Sequence, residues 1–122
     1  MAVTKQDMDL TSGLSVIRDT DSDATSEANV NSGAAVLYLV YVDNTANASA
    51  ASFLKLYNAT APTIGTTAPD FVFRVPGGAT LNMAIPEGVS LGTGLSFATV
   101  TAGGTGGITG PTSDVSVILV IS

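Results

Sequence analysis

The chain has no cysteine, no histidine and no tryptophan. Without cysteine there is no disulfide scaffold and no thiolate zinc site. Without histidine the usual general base near neutral pH is missing, so Cys–His and Ser–His pairs are both excluded. Charge is scarce as well: 11% of residues are charged, Lys plus Arg number 4 against 10 acids, and the formal net charge is −6. Sequence-independent binding to phosphates needs clustered cations, so no nucleic acid and no anionic membrane is expected as a partner. Long apolar runs are absent too. The strongest, residues 34–42, is about half the ~20 residues that a membrane-spanning helix requires. The first ten residues, MAVTKQDMDL, lack a basic stretch followed by an apolar core, so the chain reads as soluble and without a secretion signal.

What is present is a neutral, weakly polar chain of 122 residues with 45% hydrophobic content. That length exceeds the roughly 70–80 residues below which a core usually needs covalent or metal staples, and it predicts one domain over residues 1–122. A surface poor in charge has little to hold other surfaces away. Part of it is therefore expected to be covered by a partner or by copies of the same chain.

Residues 1–31 hold six of the ten acids and few large apolar side chains. Within them only Leu14-Ser15-Val16-Ile17-Arg18 reads as a strand. Residues 1–11 are expected to form an arm, flexible or ordered only against a partner. Asp19-Thr20-Asp21-Ser22-Asp23 resembles the start of a calcium loop, but Ala24 stands where glycine is needed and Val30 where a bidentate Glu is needed, so a solvated acidic turn is expected.

Residues 34–42, AAVLYLVYV, are apolar on both faces of a strand, with Val36, Tyr38, Val40 and Val42 alternating against Ala35, Leu37, Leu39 and Tyr41. Such a strand is buried on both sides, in a sandwich or beneath a neighbouring subunit. Residues 115–121 repeat the pattern, which predicts that the two strands lie side by side at a sheet centre. Further strands are expected at 53–57, 71–75, 79–85 and 95–100. Four of the five prolines fall between residues 53 and 97, punctuating these short runs. Pro76-Gly77-Gly78 is expected to close a hairpin, with positive φ at Gly77, and Pro86-Glu87-Gly88 to turn the chain again. Residues 102–112, with five glycines, are expected to be mobile. The sum is an all-β fold, an antiparallel β-sandwich of about seven or eight strands, jelly-roll-like or immunoglobulin-like.

No reaction is signalled. Gly92-Thr93-Gly94 and the glycines at 103–107 neither open a helix nor carry a lysine, so they read as turns and not as phosphate loops. No hydroxyl has an activating base, and Asp43, Asp70, Glu87 and Asp114 sit at strand edges or turns where Asp and Glu bend the chain. The expected protein is not an enzyme and uses no cofactor or metal. Sugar binding lacks its usual tryptophan platform.

Residues 54–101, LKLYNATAPTIGTTAPDFVFRVPGGATLNMAIPEGVSLGTGLSFATVT, resemble a group of small virion proteins of tailed bacteriophages, with DNTAN at 43–47 as weaker support. Capsid decoration, or cement, proteins are similar in size, β content, lack of cysteine and neutral surface. The resemblance implies a virion component made in the host cytoplasm and sited on the capsid surface. There it would bind the major capsid protein and self-associate, as a homotrimer by analogy. The alternative is a tail- or fibre-associated adhesion module that binds a host glycan or protein. Contact residues are expected in the arm (Val3, Met8, Leu10) and on one face of the 34–42 strand (Val36, Tyr38, Val40).

Overall fold

The computed structural model describes residues 3–7 and 13–122, and among these it is all-β, without a helix. Eight strands form: β1 (Val3–Asp7), β2 (Ser15–Ser22), β3 (Ala35–Asp43), β4 (Ser52–Asn58), β5 (Phe71–Val75), β6 (Thr80–Leu91), β7 (Leu95–Val100) and β8 (Val115–Ile121). They lie in a five-stranded sheet of order β1-β2-β8-β3-β6 and a three-stranded sheet of order β5-β4-β7, with antiparallel pairing throughout. Glu27 adds an isolated antiparallel bridge to Phe97 at the open edge of β7, where a fourth strand of the smaller sheet would run. With that bridge counted, the strand order is that of a jelly roll and not of an immunoglobulin domain. Only β1–β2 and β4–β5 are sequence neighbours that also pair.

The two most apolar strands do pair: β8 is central, between β2 and β3. Along β8, Val115, Val117, Leu119 and Ile121 are buried while Ser116, Ile118 and Val120 are half-buried, the period-2 signature of a strand with one face on a core. The inner face of the large sheet contributes Ile17, Leu37, Val40, Val42, Leu119 and Ile121 to the core. The small sheet contributes Leu54, Leu56, Val75, Leu95 and Phe97. Ser22 and Thr99 join their hydroxyls between the two layers at 2.7 Å, which satisfies both in the interior.

Several expectations are corrected. Residues 3–7 are not a free arm: they pair in continuous register with β2, from Val3 opposite Asp19 to Asp7 opposite Ser15, and Ser15 Oγ donates to Asp7 Oδ1 at 2.8 Å. The expected hairpin after β5 is a crossover between sheets, since β5 pairs with β4 and β6 with β3. The reason is Asn44, fully buried, whose Nδ2 donates to the carbonyls of Ala50 (3.0 Å), Val75 (3.2 Å) and Pro76 (3.1 Å) and so ties the end of β5 to the end of β3. Positive φ falls on Gly78 (72°), inside a turn closed by Ala79 N–H donating to Pro76 O at 3.2 Å. Gly77 serves close approach instead: a Cβ there would stand 2.6 Å from Ala50 N. Pro86-Glu87-Gly88 does not end a strand but forms an irregularity inside β6. The glycine-rich segment is tied across itself by Thr101 N–H to Thr109 O (2.9 Å) and Gly107 N–H to Gly104 O (3.1 Å).

Candidate interaction face

The two sheets differ in what covers their outer faces. The outer side of the small sheet carries Phe53, Lys55 and Tyr57 of β4 with Ser96, Ala98 and Val100 of β7, paired across the ladder. The loops at 59–70 and 101–114 lie over it. Ser96 Oγ donates to Ala59 O at 2.6 Å, Lys55 Nζ donates to Gly104 O, and Gly103 packs on the Phe53 ring. The loops meet where Gly65 approaches Ile108 so closely that a Cβ would lie 2.5 Å from its Cγ2. Lys55 and Tyr57 are fully buried beneath this cover. Loss of hydration pushes the lysine pKa below its ordinary value and the tyrosine pKa above its own. Among the described residues no carboxylate pairs with Lys55, and the Tyr57 hydroxyl has no hydrogen-bond partner.

Among the described residues, no loop covers the outer face of the large sheet in this way. The register aligns side chains there in rows across the strands. Val16, Val120, Leu39 and Ala84 form one, flanked by Gln6; Arg18, Ile118, Tyr41 and Asn82 form the next, flanked by Thr4; Ser116, Asp43 and Thr80 begin a third. Val16, Leu39, Tyr41, Ile118 and Val120 are each half-buried. A groove of about 270 Å³ runs across this face, lined by Arg18, Thr20, Tyr41, Asp43, Ser116 and Ile118 among others. Asp43 Oδ1 accepts from Thr45 Oγ1 (2.6 Å) and Thr45 N–H (2.9 Å), which holds its carboxyl below the ordinary range and keeps it charged. The Arg18 guanidinium has no ion-pair partner among the described residues.

The sequence-predicted contact residues scatter. Val36 and Tyr38 are half-buried on the outer side, packed over Gly88. Val40 is corrected: it points into the core and is fully buried. A bulge at Tyr38 causes this, because Leu37 pairs with Ile121 and Leu39 with Val120, two steps on β3 against one on β8. Beyond the bulge the faces exchange, so Leu39 and Tyr41 replace Val40 and Val42 on the outside. Val3 lies on the inner side of β1 and packs against the core. Met8 and Leu10 lie outside the described residues. Sequence reasoning missed Val16, Leu39, Tyr41, Ile118 and Val120, although the apolar Ile118 and Val120 opposite the inward set of β8 signalled a second covered face.

The acidic stretch is also corrected. Asp19 is not in a solvated turn: it sits in β2, faces inward beside Ile17, and is 1% exposed. Its Oδ1 accepts from Asp21 N–H at 3.1 Å, while Oδ2 has no hydrogen-bond partner among the described residues. Burial first, then the Asp21 carboxyl and the Glu27 charge, raise its pKa to about 7. Glu27 is 8% exposed, and burial with the Asp21 and Asp23 charges raises its pKa too. Among the described residues no three His, Cys, Asp or Glu side chains converge in a way that would hold a metal ion.

No family model, curated protein or solved structure was found to match the chain.

Proposed function

We propose that this chain is a structural protein of a bacteriophage virion, a capsid decoration protein that binds the major capsid protein on the outer shell and stabilises it by bridging capsomers. One observation carries the reading most: a sandwich with one outer face roofed by its own loops leaves the other, apolar and nearly uncharged, open to a protein partner. A half-buried apolar face that no described loop covers is a natural seat for a protein partner. The jelly roll supports the reading by analogy of fold alone, since the architecture recurs in capsid proteins and also in lectins and cupins. The resemblance of residues 54–101 to small virion proteins adds to it. A shell under internal pressure is strengthened by many copies of a rigid module clasping adjacent capsomers, and a sandwich whose turns are fixed by Asn44 and by close-packed glycines is such a module.

Quantitative mass spectrometry of purified virions tests this. Hundreds of copies per particle, lost in a variant carrying Leu39→Asp on the open face, are the expected result. A handful of copies located on tails or fibres would replace the reading with an adhesion module that binds a host glycan or protein.

A further inference from the structure

We propose that the outer face of the five-stranded sheet pairs, about a two-fold axis, with the same face of a second copy of this chain. The pairing does not rest on the virion reading, because it requires no shell; a second copy and a capsid protein would occupy this face in turn, so the pair is the state of the free protein.

Size comes first. Five strands spaced about 4.8 Å apart, with β8 running seven residues at about 3.3 Å each, give a face near 24 Å by 23 Å. That is on the order of 550 Å² per copy and 1,100 Å² for a pair, even when measured as a flat area, and it reaches the range of about 1,000–1,200 Å² where specific interfaces begin. A single groove-sized patch would not.

Charge decides the occupant. Arg18 on β2 stands on one flank of the groove and Asp43 on β3 on the other, with Ile118 and Ser116 of β8 between them. A two-fold interface is isologous: if residue i meets residue j of the partner, then j meets i. A face with one cation and one anion on opposite flanks is therefore complementary to itself, and turning the second copy over places each Arg18 against the partner's Asp43. Each carboxylate and each guanidinium gains a partner, and none is left stranded when the apolar row of Val16, Val120 and Leu39 loses its water. The row ends are Gln6, Thr4, Ala84 and Asn82, uncharged groups whose place at a rim costs little. A foreign partner selected by charge would favour a face of one sign, whereas the charged groups lining this groove are Arg18, Asp43 and Asp19, the last of them buried and facing inward, so the chain's net charge of −6 is not expressed on its surface.

The test is charge reversal read by sedimentation equilibrium and light scattering of the full chain, from micromolar to several hundred micromolar. The wild type is expected as a concentration-dependent dimer. Arg18→Asp and Asp43→Arg should each be monomeric, with dissociation constants weakened at least tenfold. An equimolar mixture of the two single variants should form a dimer again, because every 18–43 contact in the mixed pair joins opposite charges. Rescue on mixing requires that positions 18 and 43 of different copies meet, and a rescued species that stops at the dimer makes the contact isologous. Both side chains lie on the surface side of the sheet, and thermal unfolding of each variant confirms that it is folded. Leu39→Asp supplies a second, charge-independent disruption. A wild type that stays monomeric throughout, a dimer that survives either reversal, a trimer, or single variants that fail to pair on mixing would each overturn the proposal. Loss of capsid localisation with an intact solution dimer would instead remove the virion reading and leave this one standing.

Discussion

Leu37 and Leu39 lie two positions apart in β3 and yet on opposite faces of the sheet. Leu37 is fully buried opposite Ile121, and Leu39 is half-buried on the outer face opposite Val120. Tyr38 is the extra residue of the bulge between them. Leu39→Asp should therefore leave the folded state within about 1 kcal/mol of wild type, as surface substitutions do. Val40→Asp, its neighbour, buries an unpaired carboxylate and should prevent folding at ambient temperature. Urea unfolding followed by circular dichroism separates the two. Equal damage from both would mean that the bulge is misplaced.

Gly88 supports that bulge from the adjoining strand. Its φ is 75°, and a Cβ would come within 2.5 Å of Val36 Cγ1 and 2.8 Å of Tyr38 Cε1. Gly88→Ala should lower stability by about 1–3 kcal/mol through strain and overpacking together. The midpoint of urea unfolding measures it, and Tyr38→Ala in the same chain should recover part of the loss.

Asn44 holds together the crossover from the small sheet to β6. Its Nδ2 donates to three carbonyls, and its Oδ1 accepts from Ser52 Oγ (2.8 Å) and Asn47 Nδ2 (2.9 Å). Asn44→Ala strands buried groups at both ends of the amide. A loss of about 2–4 kcal/mol is expected, larger than a single hydrogen bond because unsatisfied groups remain behind. Tyr57→Phe is the opposite case. Its hydroxyl is buried without a partner, so removing it should be neutral or stabilising by up to about 1 kcal/mol.

Asp19 gives stability a pH dependence. Its folded pKa, about 7, lies above its ordinary value of 3.8, so the native state binds the proton more tightly than the unfolded chain does. The resulting stabilisation is fully present below the ordinary value and is lost as pH rises through about 7, at no more than about 1.4 kcal/mol per pH unit. Glu27, shifted in the same direction by burial, adds to the slope. The protein should be more resistant to urea at pH 5 than at pH 8, and Asp19→Asn should flatten that difference. A wild type equally stable at both would refute the assignment.

The sandwich was legible in the sequence because period-2 alternation and Pro/Gly punctuation are local signals. Residues 115–121 and 34–42 announced two central strands, and they pair. The hairpin expected at Pro76 was not legible as a crossover, because the reason lies 32 residues upstream in the side chain of Asn44. The open face was half-legible. The apolar Ile118 and Val120 signalled that β8 has a second covered face without naming contact residues, whereas the alternation of β3 pointed to Val40, since nothing local reveals an unpaired residue at Tyr38.

Composition by itself determined which groups this chain lacks: with no histidine and no cysteine it has neither an imidazole nor a thiol to offer. Alternating apolar residues determined that it would be a β-sandwich. Tertiary structure alone decided which apolar face is core and which is open, because a one-residue bulge exchanges the faces of a strand and is set by pairing with β8 and β6. It also decided that Asp19 is buried, for a carboxylate reads as solvent-facing until its strand acquires neighbours on both sides.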